Sequence, residues 1–203
     1  MSIGGKADDI ARIAHSMYPR VSPSMLYNCK YANKFKFLLK KLDQKLLCAR
    51  FDRYNDFNSA KSWDGKIMAA VNSVKKNKIA NCAESAILAE VIARTNGIKD
   101  CAQLSCLTPD GRKYDHMILY VNDKKPYIID AWLGFADYVP KAIERYRKEF
   151  RVHFDFDRFN TDKMIFKQTH MYSKNQGNFY DQPKEKYQEL FPELIFKKLD
   201  KKI

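Results

Sequence analysis

The chain has 203 residues with a formal net charge of +13, and 45% of its residues are hydrophobic, as in globular proteins that bury a core. No stretch approaches the roughly 20 consecutive apolar residues of a membrane span, which argues against a helical membrane protein. The first residues contain no apolar signal-peptide core, so we expect no cleaved secretory signal. These features predict a single globular domain over residues 1–203.

Five cysteines are present, an odd number with no Cys-x-x-Cys pair. The odd number and the absence of such a pair favour a reducing compartment, such as the cytoplasm, and argue against a disulfide framework or a zinc module. We therefore expect no metal and no cofactor. The cysteines are Cys29, Cys48, Cys82, Cys101 and Cys106.

The N-terminal subregion, residues 1–76, is predicted to be mostly helical. The pattern favours helices over 6–18, from 24 onward and over 66–76, with a loop over 55–64. In the second helix, leucines and phenylalanines at helical spacing alternate with lysines. Two interpretations remain open: a packing helix with a solvated basic face, or a docking surface for an acidic protein or an anionic membrane.

The central helix has recognisable signals at both ends. Asn81 is a good N-cap, Glu84 completes a capping-box pattern three residues later, and Gly97 supplies a left-handed residue that ends the helix. Cys82 then occupies the first helical position, where the positive end of the macrodipole stabilises a negative charge. A lone cysteine is most often a small buried hydrophobe, so its significance depends on whether later residues of the chain can act with it.

Three β-type runs come after this helix, over residues 102–107, 114–121 and 127–129, with turn signals between them. His116 lies on the second run and Asp130 ends the third. A cysteine on a helix, a histidine on a strand and an acid at the neighbouring strand match the needs of a Cys-His-Asp triad. Cys82 would be the nucleophile, His116 the general base and Asp130 the group that orients the imidazole.

Other residues are candidates for supporting roles. The oxyanion would be bound by the Cys82 backbone amide and by a second donor, Asn77 or Asn81. Trp63 and Trp132 are candidates to line a substrate cleft, although core packing is the commoner role for a tryptophan in the position of Trp63.

Residues 81–84 (Asn-Cys-Ala-Glu), 115–121 (Asp-His-Met-Ile-Leu-Tyr-Val) and 128–132 (Ile-Ile-Asp-Ala-Trp) resemble the core of the transglutaminase-like branch of the papain-like cysteine enzymes. The resemblance spans residues 78–138 and implies an α+β fold with the cysteine helix packed on a small antiparallel sheet. It implies the same triad, with Trp132 as the aromatic residue two places after the acid. The pattern is also similar to that of arylamine N-acetyltransferases, which share Cys-x-Glu, but their arginine-glycine-glycine lead-in is missing.

Beyond Asp130 we predict a loop at the mouth of the site over 134–138 and a basic helix over 141–150. Two further strands are expected over 152–159 and 164–170, which would complete the sheet region 77–170. The C-terminal part, 171–203, is predicted to be a loop followed by a helix over 185–199. His15, His153 and His170 are assigned no primary role in the site.

The sequence thus predicts a thiol acyl-transfer enzyme that hydrolyses or deamidates a protein substrate, as a cysteine protease or a glutamine deamidase. A transglutaminase or an N-acyltransferase with the same triad is the alternative. A different class, a non-catalytic basic binding module on this scaffold, also remains open. Compact single-domain members of the resembling family look like bacterial effectors delivered into a host cell. Nucleic acid is not expected as a partner, because the lysines are dispersed and no recognition motif is present. The sequence leaves the oligomeric state open.

Overall fold

The computed structural model describes residues 3–17, 36–107, 113–153, 165–168 and 180–196, and in these residues the chain forms six α-helices and five β-strands. This arrangement confirms the predicted α+β class. The helices are α1 Ile3–Met17, α2 Lys36–Ser59, α3 Trp63–Asn77, α4 Cys82–Thr95, α5 Val139–His153 and α6 Lys184–Leu190. The strands are β1 Cys101–Leu107, β2 Lys113–Val121, β3 Tyr127–Asp130, β4 Phe135–Tyr138 and β5 Ile165–Gln168.

Helix α4 is buried along its whole length, and both of its ends are where the sequence predicts them. At the N-terminus the Asn81 amide donates to the Glu84 carboxylate at 3.2 Å. At the C-terminus Gly97 has a φ of 83°, and its amide donates to the Arg94 carbonyl. The Ile98 amide donates to the Ala93 carbonyl, which completes a Schellman motif. Cys82 is therefore held at the first position of a rigid core helix.

The strands form one antiparallel sheet in the order β4-β3-β2-β1-β5. Successive residues of β2 point to opposite faces, so Leu119 joins one hydrophobic cluster and Ile118 another. The first cluster includes Ile10 of α1 and Leu88 of α4, while the second includes Tyr146 of α5. The sheet is thus covered on one face by α1 and α4 and on the other by α5.

Helix α2 continues to Ser59 and helix α3 begins at Trp63, so the predicted loop over 55–64 is wrong for residues 55–59 and 63–64. The inner side of α2 packs Leu46 and Ala49 against Ile79. This tertiary contact and the neighbouring helix α3 outweigh the low helix propensity of the asparagine- and aspartate-rich end. The start predicted for this helix, at residues 24–35, lies outside the described residues.

Residues 135–138 form strand β4 and not the predicted loop, because Gly134 turns the chain back onto β3 and pairs Phe135 with Asp130. Val152 and His153 end α5, so the strand predicted over 152–159 is wrong at its first two residues. The rest of that segment lies outside the described residues. The strand predicted over 164–170 is confirmed as β5 at residues 165–168, and His170 is not among the described residues.

The predicted C-terminal helix over 185–199 is too long. Helix α6 ends at Leu190, and Pro192 begins a short 3₁₀ segment to Leu194. Proline has no amide hydrogen to continue an α-helix, and its ring clashes with the preceding turn. None of the described helices has the length and apolar character that crossing a membrane would require.

A buried polar network crosses the C-terminal half of α4. Arg94 donates to Glu90 at 2.9 Å and to the backbone carbonyls of Lys99 and Cys101, each at 3.1 Å. Gln103 of β1 donates to the second oxygen of Glu90 at 2.9 Å. Burial and the charge of Glu90 raise the pKa of the Cys101 thiol to about 12, so this cysteine stays protonated at neutral pH. The network joins α4 to β1.

The turn between β3 and β4 depends on Gly134, and its replacement by alanine is our first prediction. Gly134 has a φ of 79°, and a Cβ there would overlap the His15 ring, whose Nδ1 lies 3.3 Å from the Ala131 carbonyl oxygen. We expect Gly134→Ala to lower the free energy of unfolding by about 2 to 4 kcal/mol in denaturant melts, through backbone strain and overpacking.

Gly97→Ala is the matched control for Gly134→Ala. Gly97 has a similar φ of 83°, but its Cβ would meet only the flexible Lys184 side chain, at 3.4 Å. We expect Gly97→Ala to lower the free energy of unfolding by about 1 kcal/mol, from backbone strain alone. His15→Ala should then recover part of the loss in Gly134→Ala and none of the loss in Gly97→Ala. Equal losses in both glycine variants would contradict the steric role of His15.

Candidate active site

His116 and Asp130 form the centre of the candidate site. His116 Nε2 lies 2.6 Å from Asp130 Oδ2, and both side chains are buried. The register of β2 against β3, with Leu119 opposite Ile129, brings the two residues to the same end of the strand pair. The structure thus brings together the predicted base and its orienting acid.

Asp130 is held by two further donors. The Tyr146 hydroxyl of α5 donates to Oδ2 at 2.7 Å, and the Leu133 amide donates to Oδ1 at 2.8 Å. Burial alone would raise the pKa of Asp130, but the charge of His116 and these hydrogen bonds hold it below its usual value. The carboxylate therefore stays ionised and fixed in orientation beside the imidazole.

Cys82 completes the group, because its side chain interacts with the His116 ring. Since Nε2 is used by Asp130, Nδ1 is the ring nitrogen that can serve the thiol. Only 4% of Cys82 and 5% of His116 is exposed to solvent. The three predicted triad residues therefore lie together in a site that is almost fully buried.

The charges around His116 stabilise its protonated form. Burial would lower its pKa, but the Asp130 charge, the hydrogen bond to Asp130 and the interaction with Cys82 raise it to about 10. The imidazole consequently carries a proton at neutral pH.

This raised pKa predicts a pH dependence of stability. The folded chain keeps the His116 proton up to about pH 10, whereas an unfolded histidine loses it near its ordinary value of 6.5. The stabilisation by His116 is therefore complete below about pH 6.5 and is lost as the pH rises toward 10, at up to about 1.4 kcal/mol per pH unit. Denaturant melts between pH 6 and pH 9.5 should show this slope in the wild type and not in His116→Gln. Parallel curves for the two proteins would contradict the assignment.

The two oxyanion candidates differ in position. The Asn77 side-chain amide donates to the Ser73 carbonyl at 2.9 Å and to Asp52 at 3.5 Å, so its donors are used between α3 and α2. Asn81 is buried directly before Cys82. The first amides of a helix are not used by its internal hydrogen bonds, so the Cys82 amide is a candidate oxyanion donor. Asn81 is thus the better placed of the two side chains.

The two tryptophans lie in different surroundings. Trp132 meets His116 edge-on, with ring centroids 5.9 Å apart. Trp63 packs edge-on against Tyr187 of α6 at 5.2 Å, with the Lys186 ammonium 5.7 Å from its ring centroid. Trp132 therefore borders the site, whereas the contacts of Trp63 attach α3 to α6.

Glu84 connects the first turn of α4 to helix α2. Its Oε1 accepts from Arg50 at 3.2 Å and from Arg53 at 3.1 Å, while its Oε2 accepts from the Asn81 amide. The carboxylate thus fixes the N-cap that precedes Cys82. Because Glu84 is almost fully buried, loss of both arginines would leave an uncompensated charge two residues from the nucleophile.

Sequence reasoning missed the residues that support the triad from other elements. Tyr146 follows Ala142 by four residues on the buried side of α5, a helical spacing that could have shown a tyrosine facing the sheet. Arg50 and Arg53 are three residues apart on α2, so they share a helix face, but nothing local connects them to Glu84. Leu133 acts through its backbone, for which its side chain gives no signal.

The sequence matches no protein-family model and no curated protein. The site is therefore characterised by its geometry and chemistry alone: a cysteine at a helix N-terminus beside a buried histidine that is hydrogen-bonded to a carboxylate, in an α+β fold.

Proposed function

We propose that the chain is a thiol-dependent acyl-transfer enzyme, with a papain-like and transglutaminase-like core, that deamidates glutamine side chains in a protein substrate. The observation that carries the proposal is the arrangement of the three residues, in which His116 Nε2 lies 2.6 Å from Asp130 Oδ2 and the Cys82 side chain interacts with His116. These residue types in this order perform nucleophilic acyl transfer in cysteine enzymes generally.

In the first half of the reaction, the Cys82 sulfur attacks the carboxamide carbon of the substrate. The oxyanion that develops is stabilised by the Cys82 amide and the positive end of the α4 dipole. His116 donates its proton to the departing nitrogen, the C–N bond breaks, and ammonia leaves behind an acyl-thioester on Cys82. Asp130 stabilises the imidazole in the orientation that this transfer needs.

In the second half, His116 accepts a proton from water, which attacks the thioester carbonyl. The C–S bond breaks, the sulfur leaves as an anion beside the protonated His116, and the acid product releases its proton to solvent as it departs. The net change replaces an amide with an acid and releases one ammonia for each water consumed. Trp132 borders His116 and is suited to limiting the entry of further water.

Burial of the triad favours a side-chain carboxamide over a main-chain peptide bond. With Cys82 and His116 only 4% and 5% exposed, a slender glutamine side chain can enter more easily than an extended polypeptide. The net charge of +13 favours substrates with acidic surfaces, because opposite charges steer association.

The test incubates the full chain with a mixture of glutamine-containing peptides and with methylamine. Deamidation adds about 1 Da and releases ammonia, transamidation adds about 14 Da, and proteolysis cleaves the peptide. We expect the first product from the wild type and none from Cys82→Ala. If the wild type formed no product above the Cys82→Ala background, the proposal would be wrong.

The same burial supports a second candidate, a non-catalytic basic scaffold in which Cys82, His116 and Asp130 form a structural hydrogen-bond network. Buried polar groups are normally paired, and such networks stabilise cores without doing chemistry. The two candidates differ in the reactivity that they predict for the Cys82 sulfur.

A further inference from the structure

Within the described residues, the contacts that hold helix α2 against its neighbours lie along one side of the helix. Leu46 and Ala49 pack against Ile79, and Arg50 and Arg53 bind the buried Glu84. These contacts fix the orientation of the helix, so the opposite side is presented to solvent in a defined position.

The solvent side of α2 carries large apolar residues that are unusually exposed. Phe37 is 85% exposed, Phe51 66% and Tyr54 67%, and Leu38 and Leu47 are also exposed. At 100° per residue, Phe37, Leu47, Phe51 and Tyr54 fall within an arc of about 100°, and they span about 26 Å along the helix axis. We call this surface the outer face of α2. Exposed apolar surface of this extent marks an interaction site.

The exposed charges on and beside the outer face, from Phe37 to Tyr54, have one sign. Among the described side chains of this stretch, the exposed charged residues are Lys40, Lys41 and Lys45. At 100° per residue, Lys40 falls within the arc, and Lys41 and Lys45 lie about 40° and 80° beyond its Phe37 edge. The acidic residues of this stretch are half-buried, and Asp52 is paired with Lys76 at 2.9 Å. The outer face is therefore both apolar and positively charged.

We propose that the outer face of α2 docks on an anionic membrane surface. Its phenylalanines and leucines would enter the boundary between head groups and acyl chains, while the lysines reach the phosphates. A second copy of this chain would bring the same lysines together, which opposes self-association through this face. The lysines also interrupt the apolar residues, whereas a helix that binds a protein groove carries a continuous apolar stripe. A lipid surface can accommodate both, because its acyl chains take the apolar side chains and its phosphates take the lysines.

The test measures sedimentation of the full-length chain with vesicles of phosphatidylcholine alone or with roughly 30% phosphatidylserine, at low and high salt. We expect binding to the anionic vesicles only, weakened by salt. Lys40→Glu with Lys41→Glu should lower the partition coefficient by at least about 30-fold. Leu47→Gln with Phe51→Gln should lower it by about tenfold or more.

Lys124→Glu with Lys125→Glu is the matched control, since it reverses two exposed adjacent lysines in the turn between β2 and β3. We expect it to change binding by no more than about threefold. If the two lysine double variants lost vesicle binding equally, net charge alone would account for the attraction, and the proposal would be overturned. It would also be overturned by equal binding to both vesicles, by binding to neither, or by a dimer in solution that Leu47→Gln with Phe51→Gln converts to monomer. Using the Cys82→Ala background separates this result from the proposed enzymatic function.

Discussion

Iodoacetamide is expected to modify Cys82 faster than the other cysteines at pH 7, and His116→Ala is expected to slow that reaction by about 100-fold or more. The reason is the positive charge of the imidazole beside the sulfur, which favours attack of the sulfur on the reagent. Two cysteines serve as internal references: Cys48 is exposed, and Cys101 is buried with a pKa raised to about 12. Peptide mapping by mass spectrometry over a time course measures each rate separately.

Tyr146→Phe is the matched control for His116→Ala, because it removes one hydrogen bond to Asp130 and leaves the imidazole in place. We expect a decrease of at most about tenfold in the rate of Cys82 alkylation for this variant. Cys82→Ala should unfold within about 1 kcal/mol of the wild type, since loss of one sulfur leaves only a small cavity. If Cys48 reacted first and Cys82 stayed unmodified in the folded chain, the structural-network alternative would replace the enzymatic one.

Local signals in the sequence were sufficient for the parts of the fold that position the nucleophile. Asn81, Glu84 and Gly97 mark the ends of α4 through capping, which depends on a few neighbouring residues. The apolar run that follows His116 predicts β2, and the turn signals predict its neighbours. The spacing of Cys82, His116 and Asp130 then predicts the three elements that the structure brings together.

Features that depend on contacts between distant segments could not be predicted. The register of β2 against β3 places His116 near Asp130, and nothing local in either strand specifies it. Strand β4 looks like a loop in sequence because its conformation depends on pairing with β3. Leu38 belongs to the helically spaced leucines of α2, which would place it on the packed side of an amphipathic helix. In the structure Leu46 and Ala49 form the packed side, and Leu38 is exposed. Tertiary packing decides which side of such a helix faces inward.

The largest stability effect is expected at the other end of α4, where Arg94→Met should lower the free energy of unfolding by about 3 to 5 kcal/mol. Arg94 and Glu90 are each about 98% buried as side chains and lie 2.9 Å apart, so the substitution leaves a carboxylate with Gln103 as its remaining side-chain donor. Two backbone carbonyls also lose their donor. Denaturant melts measure the change, with Lys75→Met as the matched control. The Lys75–Glu193 pair is equally short at 2.8 Å but solvent-exposed, and its loss should cost less than about 1 kcal/mol.

The loss in Arg94→Met should also depend on pH. Burial already raises the pKa of Glu90, against the charge of Arg94 and two hydrogen bonds that lower it. Without Arg94 the folded state would hold the Glu90 proton to higher pH than the unfolded state does, so stability falls as the pH rises through this range. The destabilisation should therefore be larger at pH 8 than at pH 5.

Glu90→Gln combined with Arg94→Met keeps a partner for Gln103 and removes the buried charge. This double variant should recover roughly 2 kcal/mol of the free energy of unfolding at pH 8. Additive losses in the double variant would mean that the cost lies in the backbone carbonyls and not in the isolated carboxylate.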